Sequence, residues 1–374
     1  MLNRLQVLLA NLTKALKISD LRVRQSIYEA TQMRFLSFHS KHKANNGRLF
    51  HLLGFLFCWF LGFGHGLPAR AHASVVDDAK KEGRLIWYTS MGAADAKLIA
   101  DAFEKDFGFV KVDLVRLSDE GILNRIAIEN RAGGKPFDVV SASQISSLVQ
   151  QKTIMPYVSP ESKEFTREAK DPGNLWTAMY YNYYVLGYNS KLLPVVEAPK
   201  KWADLLHPKW KGKIGMDRDE IPWYATLLTV WKEPKTNQYM KALAAQDIQW
   251  RKGHTLIANL MAAGEFPVSI VYSYTVDQMK KDGAPVEWIR TLDPVIAQGG
   301  FIALGARAIN INSAKLFIDF VLSPKGQSIF GNKNRMPARN GMRPGAKLDI
   351  GYVPADIGSR YQEYRREFQQ IFGL

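Results

Sequence analysis

The sequence has 374 residues and one cysteine, Cys58, so everything after that position is free of thiol. This excludes a disulfide framework, a thiolate nucleophile and a cysteine-based zinc site from most of the chain. Histidine is almost as scarce. After residue 73 only His207 and His254 remain, and they lack the H-x-x-x-H spacing of a zinc or copper site. G-x-S-x-G, H-E-x-x-H and P-loop patterns are missing, as are internal repeats and low-complexity tracts. Runs of Lys and Arg are missing too, which gives a nucleic-acid partner little support. What is present is ordinary globular material, 47% apolar and 23% charged, with length for about two domains. The net charge of +15 is uneven: residues 1–73 hold ten basic and two acidic residues, about half of the excess.

That basic stretch reads as an address. Residues 49–63, LFHLLGFLFCWFLGF, form an apolar run after Lys41, Lys43 and Arg48, and Ala71-His72-Ala73-Ser74 comes after it. Basic flank, apolar centre and an A-x-A step are the parts of a secretory signal peptide, with cleavage expected before Ser74. The run falls short of the roughly 20 apolar residues that span a bilayer. Residues 1–73 are therefore read as a leader starting at Met1 or Met33, and the mature chain as exported to the periplasm. Its lack of cysteine suits an oxidising compartment.

The mature chain opens with strand, helix, strand, helix, strand. Residues 84–89 are rich in strand formers, and Leu98, Ile99, Ala102, Phe103 and Phe107 recur at helical spacing. Val110, Val112 and Leu114 alternate, Ile122, Leu123 and Ile126 mark a second helix, and residues 137–140 form a buried strand. This is the pattern of a doubly wound α/β sheet, whose ligands sit beyond the carboxyl ends of its strands. Thr89-Ser90-Met91-Gly92 and Ser141-Ala142-Ser143 lie at such ends. Each leads toward a helix N-terminus, so Ser90, Ser141 and Ser143 with free backbone N–H groups are candidate anion holders; tight turns are the bland alternative. Residues 176–188 are dense in aromatics and read as extended. Arg218 could fork onto an anion, with Trp223 and Tyr224 as walls, or pair with Asp217, Asp219 or Glu220 at the surface. Asp217 and Glu220 could instead receive an ammonium group. Carboxylate pairs such as Asp77-Asp78 and Asp119-Glu120 sit at turns or helix starts, where a solvated role is expected.

Residues 199–217, PKKWADLLHPKWKGKIGMD, resemble the P-x-x-W-x-D-L-x-x-P-x-W-K-G-K-I block of extracellular solute-binding proteins of ABC importers, in the branch containing the ferric-iron binders. Trp87-Tyr88-Thr89-Ser90, Gly264-Glu265-Phe266-Pro267 and residues 315–327 agree in order and spacing. The resemblance implies a two-lobed type II periplasmic binding protein, each lobe a doubly wound sheet, joined by hinge strands and closing over a ligand. It implies lobe 1 at 74–182 and 297–345, lobe 2 at 183–296, and a segment 346–374 bracing both. It also implies a monomer without a cofactor, serving a separate inner-membrane permease.

Iron-binding relatives grip Fe(III) with adjacent tyrosines after the G-E-x-P block. Here Val271-Tyr272-Ser273-Tyr274-Thr275 breaks that doublet. In an extended segment Tyr272 and Tyr274 leave on one face and could act with Tyr88, Tyr180, Tyr181 or Tyr183 across a cleft. A hard trivalent cation wants several anionic oxygens, so the same tyrosines serve equally as stacking surfaces for an organic ligand. The ligand-binding candidates are thus Tyr88, Thr89, Ser90, Ser141, Ser143, Tyr181, Arg218, Trp223, Tyr272 and Tyr274, the last two also metal ligands if Fe(III) is the cargo. The expected ligand is a small organic or phosphorus-containing anion, or ferric iron. An exported hydrolase using an unrecognised carboxylate pair is the enzyme alternative.

Overall fold

A computed structural model describes residues 67–134, 137–342, 348–354 and 357–374. Contacts divide the chain into Met1–Ala71 and His72–Leu374. The first unit, with the apolar run 49–63, lies almost wholly outside the described residues; the second carries the sheet and its helices. Helix α1, Leu67–Glu82, has a backbone that runs through the position before Ser74. None of the described helices is long and apolar enough to cross a membrane.

The opening alternation is realised as β1 (Arg84–Thr89), α2 (Ala93–Asp106), β2 (Lys111–Arg116), α3 (Asp119–Arg131), β3 (Val139–Ala142) and α4 (Ile145–Gln150). β2 and β3 pair with β1 in parallel. Successive residues of β1 point to opposite faces. Trp87 packs on Phe317 on one side, at 4.9 Å between ring centres. Tyr88 joins Ile122, Ile126 and Val140 on the other. After β4 (Ile154–Met155), the long β5 (Thr177–Asn189) is buried at every position but Asn182. An extended strand with both faces covered has no polar face to alternate with, hence the aromatic-rich run.

The second half of the sheet comprises β6 (Ile214–Asp217), α5 (Ile221–Trp231), α6 (Glu233–Ala244), β7 (Gln249–Arg251), α7 (His254–Ala263), β8 (Val268–Tyr272), α8 (Ser273–Lys281) and β9 (Val286–Trp288). β6 lies parallel to both β7 and β8. Gly264 ends α7 in the left-handed conformation, φ +90°, which glycine adopts without strain. The chain then returns through β10 (Val295–Gly305), α9 (Ile311–Leu322), α10 (Pro324–Asn332), β11 (Met336–Pro337), β12 (Ile350–Tyr352) and α11 (Ile357–Phe372). The Glu82 carboxylate accepts from the N–H groups of Asn312 and Ser313 at 3.1 and 2.7 Å and so caps α9.

Strand order is β2-β1-β3-β10-β5-β8-β6-β7. β5 and β10 are antiparallel to each other and common to both halves: β10 pairs with β3 through residues 301–304, and β5 with β8 through 184–188. A register shift at Gly300/Phe301 bends the pair between those two zones. This is the topology of two parallel α/β halves on two shared strands. Helix α11 packs on α4 of the first half and on α5 and α6 of the second.

Candidate functional site

At the strand ends of the first half, the polar groups answer one another. The Ser141 hydroxyl donates to Thr89 Oγ1 at 2.7 Å and accepts from the Trp87 indole N–H at 3.0 Å. Thr89 Oγ1 also accepts from the Met91 N–H at 3.1 Å. The Ser143 N–H donates to Asp119 Oδ1 at 3.0 Å. Burial pushes the Asp119 carboxyl up, opposed by hydrogen bonds from the Ser90 hydroxyl and the amides of Ser143 and Gln144. Of the donors that the sequence offered to a ligand anion, Ser90 and Ser143 are thus turned toward the protein's own Asp119 and Ser141 toward Thr89. Asp119, expected to be solvated, is instead partly buried and reaches over from the next strand's helix.

Between the halves stands Arg335, 5% exposed. Its guanidinium donates to Asp95 Oδ2 at 3.0 and 2.9 Å and to Asn182 Oδ1, and lies 4.7 Å from the Tyr180 ring and 4.0 Å from the Tyr274 ring. Burial works against its charge, but Tyr180, Tyr274 and Asp95 outweigh that and raise its pKa above the ordinary arginine value. One side chain thereby links α2, β5 and the start of α8. A cavity of about 300 Å³ opens beside it, lined by Asp95 and Lys333 from one side and by Thr255, Asn259, Tyr274 and Gln278 from the other. A larger groove of about 730 Å³ lies between α5, α6 and α11. It is away from the strand ends, and its Arg360 already pairs with Glu363.

The second half is less settled. Asp217 ties its loops together, accepting from the N–H groups of Asp219 and Gly253 at 3.0 and 2.7 Å. Tyr272 donates to Gln298 Oε1 at 2.9 Å and stands 3.2 Å from the Tyr184 hydroxyl. Burial drives both phenols well above their ordinary pKa, with Glu220 adding to the effect. His254 packs on Tyr272 with the rings tilted by 44° and their centres 4.0 Å apart, and its Nδ1 lies 3.5 Å from Glu220 Oε1. Burial lowers His254 to about 4 and raises the Glu220 carboxyl well above its usual range, Asp217 reinforcing the latter. Neither oxygen of Glu220 accepts a hydrogen bond of good geometry.

The candidate residues therefore separate. Tyr272 and Tyr274 come together, their rings stacked at 5.8 Å and 20°. They do so although Ser273 already begins α8, so the segment is not the extended one that the spacing suggested. Ser90, Ser141, Ser143 and Thr89 converge at the other half's strand ends. Tyr88 points away and donates to Glu129 at 3.0 Å. Tyr181 is buried against Tyr352, at 5.2 Å. Trp223 is fully buried against Trp202, at 5.4 Å, within the core of the second half. Arg218 is exposed, and the ion pair to Asp219 comes from Arg365 of α11 at 3.1 Å, which also approaches Glu120 at 3.7 Å. Arg335, Tyr184 and Gln298 were not singled out, and His254 was weighed only as a zinc or copper ligand. Only His254 carried a local signal, standing between a strand and a helix start. Among the described residues no three His, Cys, Asp or Glu side chains group so as to hold a metal ion.

Two parallel halves on shared crossing strands, with polar clusters at the strand ends, define a two-lobed binder of the type II periplasmic class. A family model for bacterial extracellular solute-binding proteins matches residues 136–352, and the chain belongs to that family. It is 23% identical over 273 residues to the Fe(3+)-binding periplasmic protein of Serratia marcescens, covering 68% of this chain and 78% of that one. Its fold is similar to that of iron-bound HitA from Pseudomonas aeruginosa, with a TM-score of 0.68, 20% identity and coverage of 76% and 99%. It is equally similar to AfuA from Actinobacillus pleuropneumoniae, a periplasmic binding protein seen with fructose-6-phosphate, with a TM-score of 0.68, 24% identity and coverage of 78% and 99%. Members of this family bind a solute, and the hydrolase alternative finds no support.

Proposed function

We propose that this chain is the periplasmic capture component of an ABC importer. It acts as a monomer that closes over a small organic anion, phosphate esters first among them, and hands it to a membrane permease. The leader 1–73 exports it, and the lobes follow the boundaries 74–182 with 297–345 and 183–296, hinged on β5 and β10. Solute that contacts both lobes favours the closed form by its differential affinity.

The observation that carries the organic reading is the guanidinium of Arg335 against Tyr274. Ferric iron calls for several anionic oxygens. Here one tyrosine of the pair faces a guanidinium, and the other is a half-buried phenol hydrogen-bonded to Gln298. Lys333 and the first turn of α8 instead favour an anion beside Tyr274, with Arg335, held in its ion pair by Asp95, behind that ring. The stacked pair of phenols supports ferric iron as a second reading, in which Fe(III) is cargo rather than cofactor. Titration with ferric citrate separates the two. The organic reading expects no visible tyrosinate-to-iron band, and a band abolished by Tyr274→Phe overturns it.

A further inference from the structure

Among the described residues Glu220 is the buried carboxylate that the fold leaves most poorly compensated, with only the Asp217 backbone N–H directed toward it. It is wholly buried, and neither oxygen accepts a hydrogen bond of good geometry, the Asp217 N–H offsetting only part of the cost of burial. His254 Nδ1, also without a hydrogen bond, approaches at 3.5 Å, too far for a good one. A buried carboxyl in this state is costly, and an apolar or amide side chain would serve the fold better. Its position gives the reason. Glu220 stands where β6 enters α5, His254 where β7 enters α7, and Tyr272 at the end of β8, three neighbouring strand ends of one half. The walls are held: Tyr272 and Tyr184 both donate to Gln298 Oε1. The other charges nearby are engaged, Asp217 with two backbone amides and Asp219 with Arg365. Among the described residues no lysine or arginine pairs with Glu220.

We propose that Glu220, with His254 beside it, reads a hydrogen-bond donor on the solute, a hydroxyl or an ammonium group. The proposal rests on the organic-anion reading and places the solute's donor end in the second half. A solute without such a donor leaves the carboxyl unpaired and is rejected, as sites built around a polar contact reject analogues lacking it.

Calorimetric titration of the full chain with three probes tests this: fructose 6-phosphate for hydroxyls, phosphoethanolamine for ammonium, and methyl phosphate, which has neither. In the wild type at least one donor-bearing probe should bind about tenfold or more tighter than methyl phosphate. Glu220→Gln should remove that advantage, more completely for ammonium because the amide cannot ionise against it, and leave methyl phosphate unchanged. The ligand-free variant should melt at the same or a higher temperature, since an uncompensated carboxyl is gone. Unchanged probe ratios in Glu220→Gln overturn the proposal alone. So does a variant that melts lower or fails to fold, which would make Glu220 a structural group. If none of the three probes binds the wild type, the organic-anion reading itself falls.

Discussion

The two halves of the sheet treat their strand ends differently. In the first, Thr89, Ser90, Ser141 and Ser143 are engaged with Trp87, Asp119 and one another. In the second, buried Glu220 lies beside half-buried His254 with no hydrogen bond of good geometry to either of its oxygens or to His254 Nδ1. A satisfied network is rigid and specifies one arrangement, whereas unsatisfied buried groups are a standing cost that a ligand can offset. The first half is accordingly the frame and the second the reader, with Arg335 between them.

The contrast is broken most severely at Asp138. It is 2% exposed and accepts from the N–H groups of Ile86, Ile309 and Asn310 and from the Asn310 side chain, all at 2.8–2.9 Å. Asp138→Ala strands several buried donors and should cost about 3–5 kcal/mol in denaturant unfolding. Arg335→Met comes next, at about 3 kcal/mol, because Asp95 loses its ion pair. It should also weaken closure, seen as a smaller change in scattering radius on adding solute. Comparable loss from an exposed site such as Arg218→Ala would erase the distinction.

The reader half should show itself in pH dependence. Unfolded His254 takes a proton near its ordinary 6.5, whereas burial lowers the folded group to about 4. Between those values the unfolded state binds more protons, so stability falls as pH drops from 6.5 toward 4. Glu220, raised by burial, acts in the opposite sense: the folded state keeps a proton that the unfolded chain sheds, and stability falls as pH climbs above the usual carboxylate range. His254→Asn should flatten the first slope and Glu220→Gln the second, read from unfolding midpoints across that window. The smallest effect belongs to Arg365, partly exposed and spanning Asp219 and Glu120. Arg365→Ala should cost under about 1 kcal/mol and matter less at high salt.

Much of the frame was legible in the residues. The alternation β1 to β3 and the aromatic run that became β5 stem from patterns contained within single elements. The site was legible only as a set of strand ends. Asp119 meets Ser143 24 residues away, and Arg335 meets Asp95 at a separation of 240, so no local pattern announces either contact. Trp223 looked like a pocket wall because it comes after a strand end, yet the first turn of α5 rotates it into the core. Glu220, three residues earlier, was weighed as an ammonium partner or as a surface ion pair for Arg218; its isolation is a property of burial, which sequence spacing does not encode.

The most direct measurement is native mass spectrometry of the protein released from its own cells, with a visible absorption spectrum taken on the same sample. A colourless protein carrying an excess mass that matches a small organic anion is expected. A coloured protein whose excess mass is that of iron would contradict it.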